Sequence, residues 1–400
     1  MNEENKAEKK KSLSPAMKML IASLLLVAAA LVQHFVFGMV GVVEARQDLI
    51  MTDTEVTISY GFDMQASFYS PGARHFFFSA RDGMQNMSST GELRWQEAYD
   101  MVQPLMIGRG DKVAVGEPGG RSIYVFNAAG LLYTADLPHP VLYFTVNPTG
   151  FLSTILQTDS GYMIKVFNPS NPNDPDYGYR AVINDANIFP FSVDVSDCGT
   201  FVAKAFWDVN TLMFSRLTFG FFRGVDSRGM HDGFFASNSF PDEFIYRIRF
   251  TSGGRKLLVL SDQQIIGFTV EDGSREKAWS IPLYNRPELF TIGENHFAFV
   301  TGDPFLNEPN AKNPGVLHIY DFNGRPTGTY NLGRRATHLH MGFNAILVGT
   351  GRTFYAINTN GTRKWTYSAI HDVQDMIFLD NTDTVLLAGG ARATVMRRLR

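Results

Sequence analysis

One cysteine, Cys198, serves all 400 residues. That excludes an intramolecular disulfide framework and any cysteine-rich zinc or iron–sulfur site. Charge of either sign is sparse, at 19% of residues, and the formal net charge of −3 leaves no electrostatic footprint for nucleic acid. The ready-made catalytic signatures are missing too: the chain has no GxSxG, HExxH, GxGxxG or Walker sequence. Strongly amphipathic helical patterns are scarce. The hydrophobic share is 44%, with 33 Phe and 36 Gly, which excludes global disorder and leans toward strands joined by many turns.

One long apolar run breaks this pattern. Residues 19–43 carry no formal charge over 25 positions, and at ~1.5 Å per residue a helix of that length crosses a ~30 Å hydrocarbon core with some tilt. Lys6, Lys9, Lys10, Lys11 and Lys18 precede it, so residues 1–18 form a basic cytoplasmic tail of net +2. The positive-inside rule then puts everything after Val43 outside the cell membrane. A cleaved signal peptide is the competing reading, with Val43-Glu44-Ala45 as a small-x-small site, but the run exceeds the ~7–15 residues of a signal core. With no cysteine after the run, a bacterial lipoprotein anchor is excluded. The remainder of the chain carries net −5.

Beyond residue 43, short apolar runs alternate with Gly and Asn turns, and one phrase recurs. A third strand and turn read SIYVFNAAG, MIKVFNPSN, IIGFTVEDG, LHIYDFNG and FYAINTNG; second strands read KVAVG, FLSTILQ, FVAKAFW, KLLVL, HFAFVTG, AILVGT and TVLLAGG. Turn glycines Gly91, Gly130, Gly273, Gly324 and Gly361 set a period of about 40–50 residues, the size of a four-stranded propeller blade. The expected fold is therefore all-β: a β-propeller over 63–400, preceded by one transmembrane helix and a linker at 44–62. The blades fall at 63–101, 102–139, 140–187, 188–240, 241–285, 286–334, 335–371 and 372–400. Eight is the count, with seven as the alternative because 188–240 is irregular. The last unit lacks a fourth strand, and TEVTISYGF (54–62) is expected to supply it and close the ring.

Three of the four tryptophans share one repeat position. Trp95 follows Gly91 by four residues, Trp365 follows Gly361 by four, and Trp279 follows Gly273 by six. The segment YAINTNGTRKW resembles the tryptophan-docking repeat of quinoprotein-type (PQQ-like, WD40-like) propellers, and the resemblance implies that these Trp side chains pack between blades. The whole layout is similar to membrane-anchored quinoprotein-like propellers of Gram-positive bacteria. True quinoprotein dehydrogenases add a vicinal Cys-Cys pair, a stacking Trp and calcium-binding carboxylates. One cysteine cannot make that pair, so no cofactor is expected.

First strands of a propeller line its central channel. His338 and His340, at i and i+2 in THLHMG, share a strand face and are candidate ligands of a metal, although no third ligand can be placed by spacing. Arg247 and Arg249 repeat that geometry in IYRIRF, and Asp194 and Asp375 are expected on equivalent strands. Such a wall suits a small anion or a carboxylate-bearing peptide, and it equally suits ion pairing between blades. Asn173, Asp174 and Asp176 offer calcium oxygens but read more simply as a Pro-rich hairpin. Arg109-Gly110-Asp111 reads as turn chemistry. Eight Phe residues between 206 and 240 read as core, and Cys198 reads as a tolerated small residue. The expected function is non-catalytic binding of a protein, peptide or glycan at the cell envelope. A hydrolase or lyase with its site at the channel mouth, and an envelope assembly factor, are the alternatives.

Overall fold

A computed structural model describes residues 51–398 except 61–65, 73, 173, 175–177, 211–213, 223–232, 252, 272–273, 286 and 303–314. The expected tail and membrane span, Gly273, Asn173 and Asp176 lie outside the described residues. Among the described residues no helix is long and apolar enough to cross a membrane.

Every described strand belongs to one of eight four-stranded antiparallel sheets. Seven of them, at 67–98, 105–136, 141–183, 188–240, 245–282, 287–331 and 338–368, run in simple sequence order. The eighth takes three strands from 375–398 and its outermost strand from Met51–Ser59, which pairs antiparallel with Arg392–Arg398. The two ends of the chain thus meet in one blade, and pairing covers an edge that would otherwise be exposed. The count is eight. The irregular stretch 188–240 makes a complete sheet of its own, with strands Ile188–Val195, Phe201–Asp208, Phe214–Phe221 and Gly233–Phe240.

The hydrophobic core is distributed between the blades. Eight separate clusters of buried side chains occur, one at each junction of consecutive sheets. One of them joins Phe68, Phe76 and Phe78 of blade 1 to Ile377, Leu379 and Leu386 of blade 8, so the ring is closed. This explains the sequence pattern. A second strand has sheet neighbours on both edges and other blades on both faces, so Ala345–Thr350 is buried at all six positions and reads as an unbroken apolar run. Outer strands such as Leu93–Ala98 show the alternation of a half-exposed surface. Phe carries much of this burial; Phe76, Phe126, Phe144, Phe250, Phe268 and Phe354 are among the largest fully buried side chains. Each contributes about 1.5–3 kcal/mol from burial.

The tryptophans pin blade to blade. From outer strands, the indole N–H of Trp95 donates to the Ala128 carbonyl (2.9 Å), that of Trp279 to Phe322 (3.3 Å) and that of Trp365 to Thr382 (2.8 Å). Each acceptor lies in a hairpin turn of the following blade. Trp95 stacks on Phe126 and Trp279 on Phe297, both in the next blade. Trp279 also lies across two glycines: a Cβ on Gly267 would sit 2.2 Å from its ring, and one on Gly324 2.5 Å away. In blade 6 the residue four after Gly324 is Gly328, and the vacancy is filled by backbone. A Cβ there would stand 2.3 Å from the Gly361 nitrogen of blade 7.

Of the Phe-rich stretch, Phe206, Phe219, Phe222 and Phe240 are buried, whereas Phe234 is 54% exposed.

Candidate functional site

Each blade has an even number of antiparallel strands, so every inner strand runs the same way around the channel. On each inner strand one residue packs against the preceding blade: Val146, Val195, Phe250, Ile292 and Met341 hold this position in blades 3 to 7, as does Phe378 in blade 8. The residue just before it is on the opposite face. In blades 4, 5 and 7 that residue is Asp194, Arg249 and His340. Two positions earlier stand Ser192, Arg247 and His338, and in blade 8 Asp375. The expected candidates therefore occupy two rows of equivalent positions.

Their chemistry divides into two groups. In the first, Asp194 is 2% exposed and takes two hydrogen bonds from the Arg109 Nη1 (3.1 and 3.0 Å). It also accepts the Phe250 N–H at 2.7 Å and the Val195 N–H at 3.0 Å. Arg109, 6% exposed, reaches Asp197 at 3.3 Å and donates to the Phe250 carbonyl. This one ion pair ties blade 2 to blades 4 and 5. Turn chemistry accounts for the rest of the tripeptide, with Gly110 at φ 61° and Asp111 paired to Lys112 at 2.7 Å, but not for the Arg109 side chain. No local pattern marks Arg109; its only signal is its place at the end of an inner strand. Burial holds the Asp197 carboxyl above its usual range.

Arg249 sits beside this pair. Burial, followed by the like charges of Arg109 and Arg247, pushes its guanidinium down to about 9, which still leaves it charged at neutral pH. It keeps some solvent access and Arg247 is exposed. Tyr69 and Tyr143 are the neighbouring hydroxyls, both raised by burial. The Tyr69 ring lies over Gly108, where a Cβ would be 2.3 Å from it, and its hydroxyl donates to the Gly110 carbonyl at 2.8 Å.

The second group is at the junction of blades 7 and 8. His338 Nε2 bonds the Met376 carbonyl at 2.7 Å, so it carries a proton, and Nδ1 faces the Asp375 carboxylate at 3.4 Å. Burial raises Asp375 and His338 opposes the rise. His340 packs against Phe378 and is driven down to about 3 by burial and then by His338, so it is neutral. The two histidines share a face, but one is engaged by the next blade. Among the described residues no group of three or more His, Cys, Asp or Glu is placed to hold a metal ion. The arrangement does not gather Asp194 with the histidines. Cys198 is exposed in the turn after Asp194, 3.3 Å from the Ser196 hydroxyl. Outside the channel, a cleft of about 250 Å³ opens between blades 5 and 6, lined by Thr251, Lys256, Leu258, Trp279, Phe322 and Asn323 among others.

Closed ring, inter-blade cores and indole pins together define an eight-bladed β-propeller. Residues 50–397 match a family of unknown function, DUF5711, and the chain belongs to that family. No curated protein matches it by sequence. Among solved structures it is similar to dipeptidyl peptidase 4 of Porphyromonas gingivalis (13% identity, TM-score 0.56, 85% of this chain and 58% of that one). It is also similar to the WD40 domain of SCAP from fission yeast (9%, 0.51, 87% and 98%) and to BamB from Moraxella catarrhalis (12%, 0.48, 87% and 100%). At these identities what the chain shares with the dipeptidyl peptidase and the SCAP domain is the fold.

Proposed function

We propose that this protein is a single-pass membrane protein whose propeller lies outside the cytoplasm and acts as a binding scaffold for a protein, peptide or glycan partner. The uncharged run 19–43 behind a basic tail supports the anchor and its orientation, as does the likeness of this layout to Gram-positive envelope propellers. The binding role rests on one observation. Among the described residues the inter-blade links lie on a single face of the ring, and three of them display large apolar side chains: Val102 is 63% exposed, Tyr284 93% and Ile370 82%. A rigid disc presenting such loops is suited to hold a partner.

Two measurements test this. Protease added to intact cells should digest the propeller of a membrane-fractionated protein and spare the 18-residue tail; a soluble or protected propeller defeats the topology. Photo-crosslinkers at Tyr284 and Ile370 should capture a reproducible partner, while one at Asn360, on the opposite face, should not. Equal capture at all three sites, or none, defeats the scaffold reading.

A further inference from the structure

Arg247 and Arg249 alternate with Ile248 and Phe250, which are buried in the core between blades 4 and 5. Both guanidiniums therefore project from the other side of the strand. Arg249 interacts electrostatically with Tyr69 of blade 1, Arg109 of blade 2 and Asp194 of blade 4. Blades 1 and 5 stand opposite each other in an eight-membered ring, so a side chain that feels both is in the channel.

Three arginines, Arg109, Arg247 and Arg249, share this wall, and among the described residues only Arg109 makes ion pairs there. Arg109 makes the ion pairs to Asp194 and Asp197, and Asp194 also accepts the Phe250 and Val195 N–H groups; Arg249 feels both carboxylates without pairing to either. The other carboxylates that reach this wall are Asp111, paired with Lys112, and Glu294, both felt at Tyr69. Among the described residues neither the Arg247 nor the Arg249 side chain has a hydrogen bond or ion pair, although both backbones are paired in the sheet. Arg249 is only partly exposed, so its unpaired donors are incompletely solvated, and a guanidinium cannot shed its proton to escape that cost. Two planar forks, bordered by tyrosine hydroxyls, match the acceptor pattern of an oxyanion.

We infer that the channel wall at Arg247 and Arg249 binds a small oxyanion of the carboxylate or phosphate class, with Tyr69 and Tyr143 at its border. The oxyanion belongs either to a free small molecule or to the C-terminal carboxylate of a bound chain. The site is independent of the loop face and of the membrane anchor.

Thermal unfolding of the full chain in detergent tests it, with inorganic phosphate or acetate titrated against chloride at constant ionic strength. The expected result is a saturable rise in Tm, about 4 °C at 100-fold over Kd for a ring of about 350 residues. Arg249→Gln and Arg247→Gln should each lose that rise, and Arg249→Gln should not lower the Tm in chloride. Competition by a short free-acid peptide, and not by its amidated form, assigns the oxyanion to a chain terminus; anion binding without peptide competition assigns it to a free molecule. No rise beyond the chloride control, an undiminished rise in both variants, or a drop in Tm of Arg249→Gln in chloride overturns the inference.

Discussion

Removing the Asp194 charge should be the most damaging single change in the channel. Asp194→Asn leaves Arg109, 6% exposed, with Asp197 at 3.3 Å as its one carboxylate partner and with Arg249 repelling it. Breaking a buried pair from one side costs about 3–5 kcal/mol. An unfolding entropy of roughly 2.1 cal/mol/K per residue over about 350 residues gives about 0.7 kcal/mol per degree, so the Tm should fall by about 4–7 °C. The reverse deletion should be milder. Arg109→Met leaves Asp194 with two backbone N–H donors and with Arg249 as a replacement counter-charge. The double change Asp194→Leu/Arg109→Met should recover most of the loss, since apolar groups often replace a buried pair at little cost. Calorimetry on the four proteins, read as a double-mutant cycle, decides the matter. A loss below about 1 kcal/mol for Asp194→Asn, typical of surface pairs, or a larger loss for Arg109→Met, would refute both the burial of the pair and the repulsion between Arg109 and Arg249.

Trp365→Ala, at a side chain only 1% exposed that also donates to Thr382, should cost about 3–5 kcal/mol, whereas Trp365→Phe should retain much of the packing; denaturant midpoints separate the two. Gly328→Ala forces a Cβ against the backbone of blade 7 and should destabilise by about 1–3 kcal/mol, with thermal melts as the readout. Acid should weaken the fold. His75, His296, His318 and His340 are all lowered, each first by burial, so the unfolded chain takes up more protons below about pH 6.5. Stability is therefore present above the unfolded value and is lost as pH falls toward the folded ones, the lowest being about 3 for His340. The raised carboxyls of Asp197 and Asp375 act in the opposite sense, favouring the fold as pH falls toward their ordinary range. Tm measured from pH 8 to 4 should decline, and the decline should be shallower in His340→Gln; an unchanged slope in that variant argues against a neutral, enclosed imidazole.

Local chemistry settled a great deal of this protein. Gly turns at a 40–50-residue period, unbroken apolar second strands and a Trp four residues past a turn glycine are each short-range patterns. Each has one structural outcome, because a four-stranded blade cannot bury its faces alone. Even the alternation that put His338 with His340, and Arg247 with Arg249, on shared faces is a property of the strand itself. What no local pattern contains is which blade meets which across the channel. Arg109 and Asp194 are 85 positions apart and join only because the ring curves blade 2 back toward blades 4 and 5. That closure turned an apparent turn residue into the centre of an ion pair and removed Asp194 from the set of free ligands. It also held the histidines to blade 8 and left two arginine side chains on the wall without an ion pair.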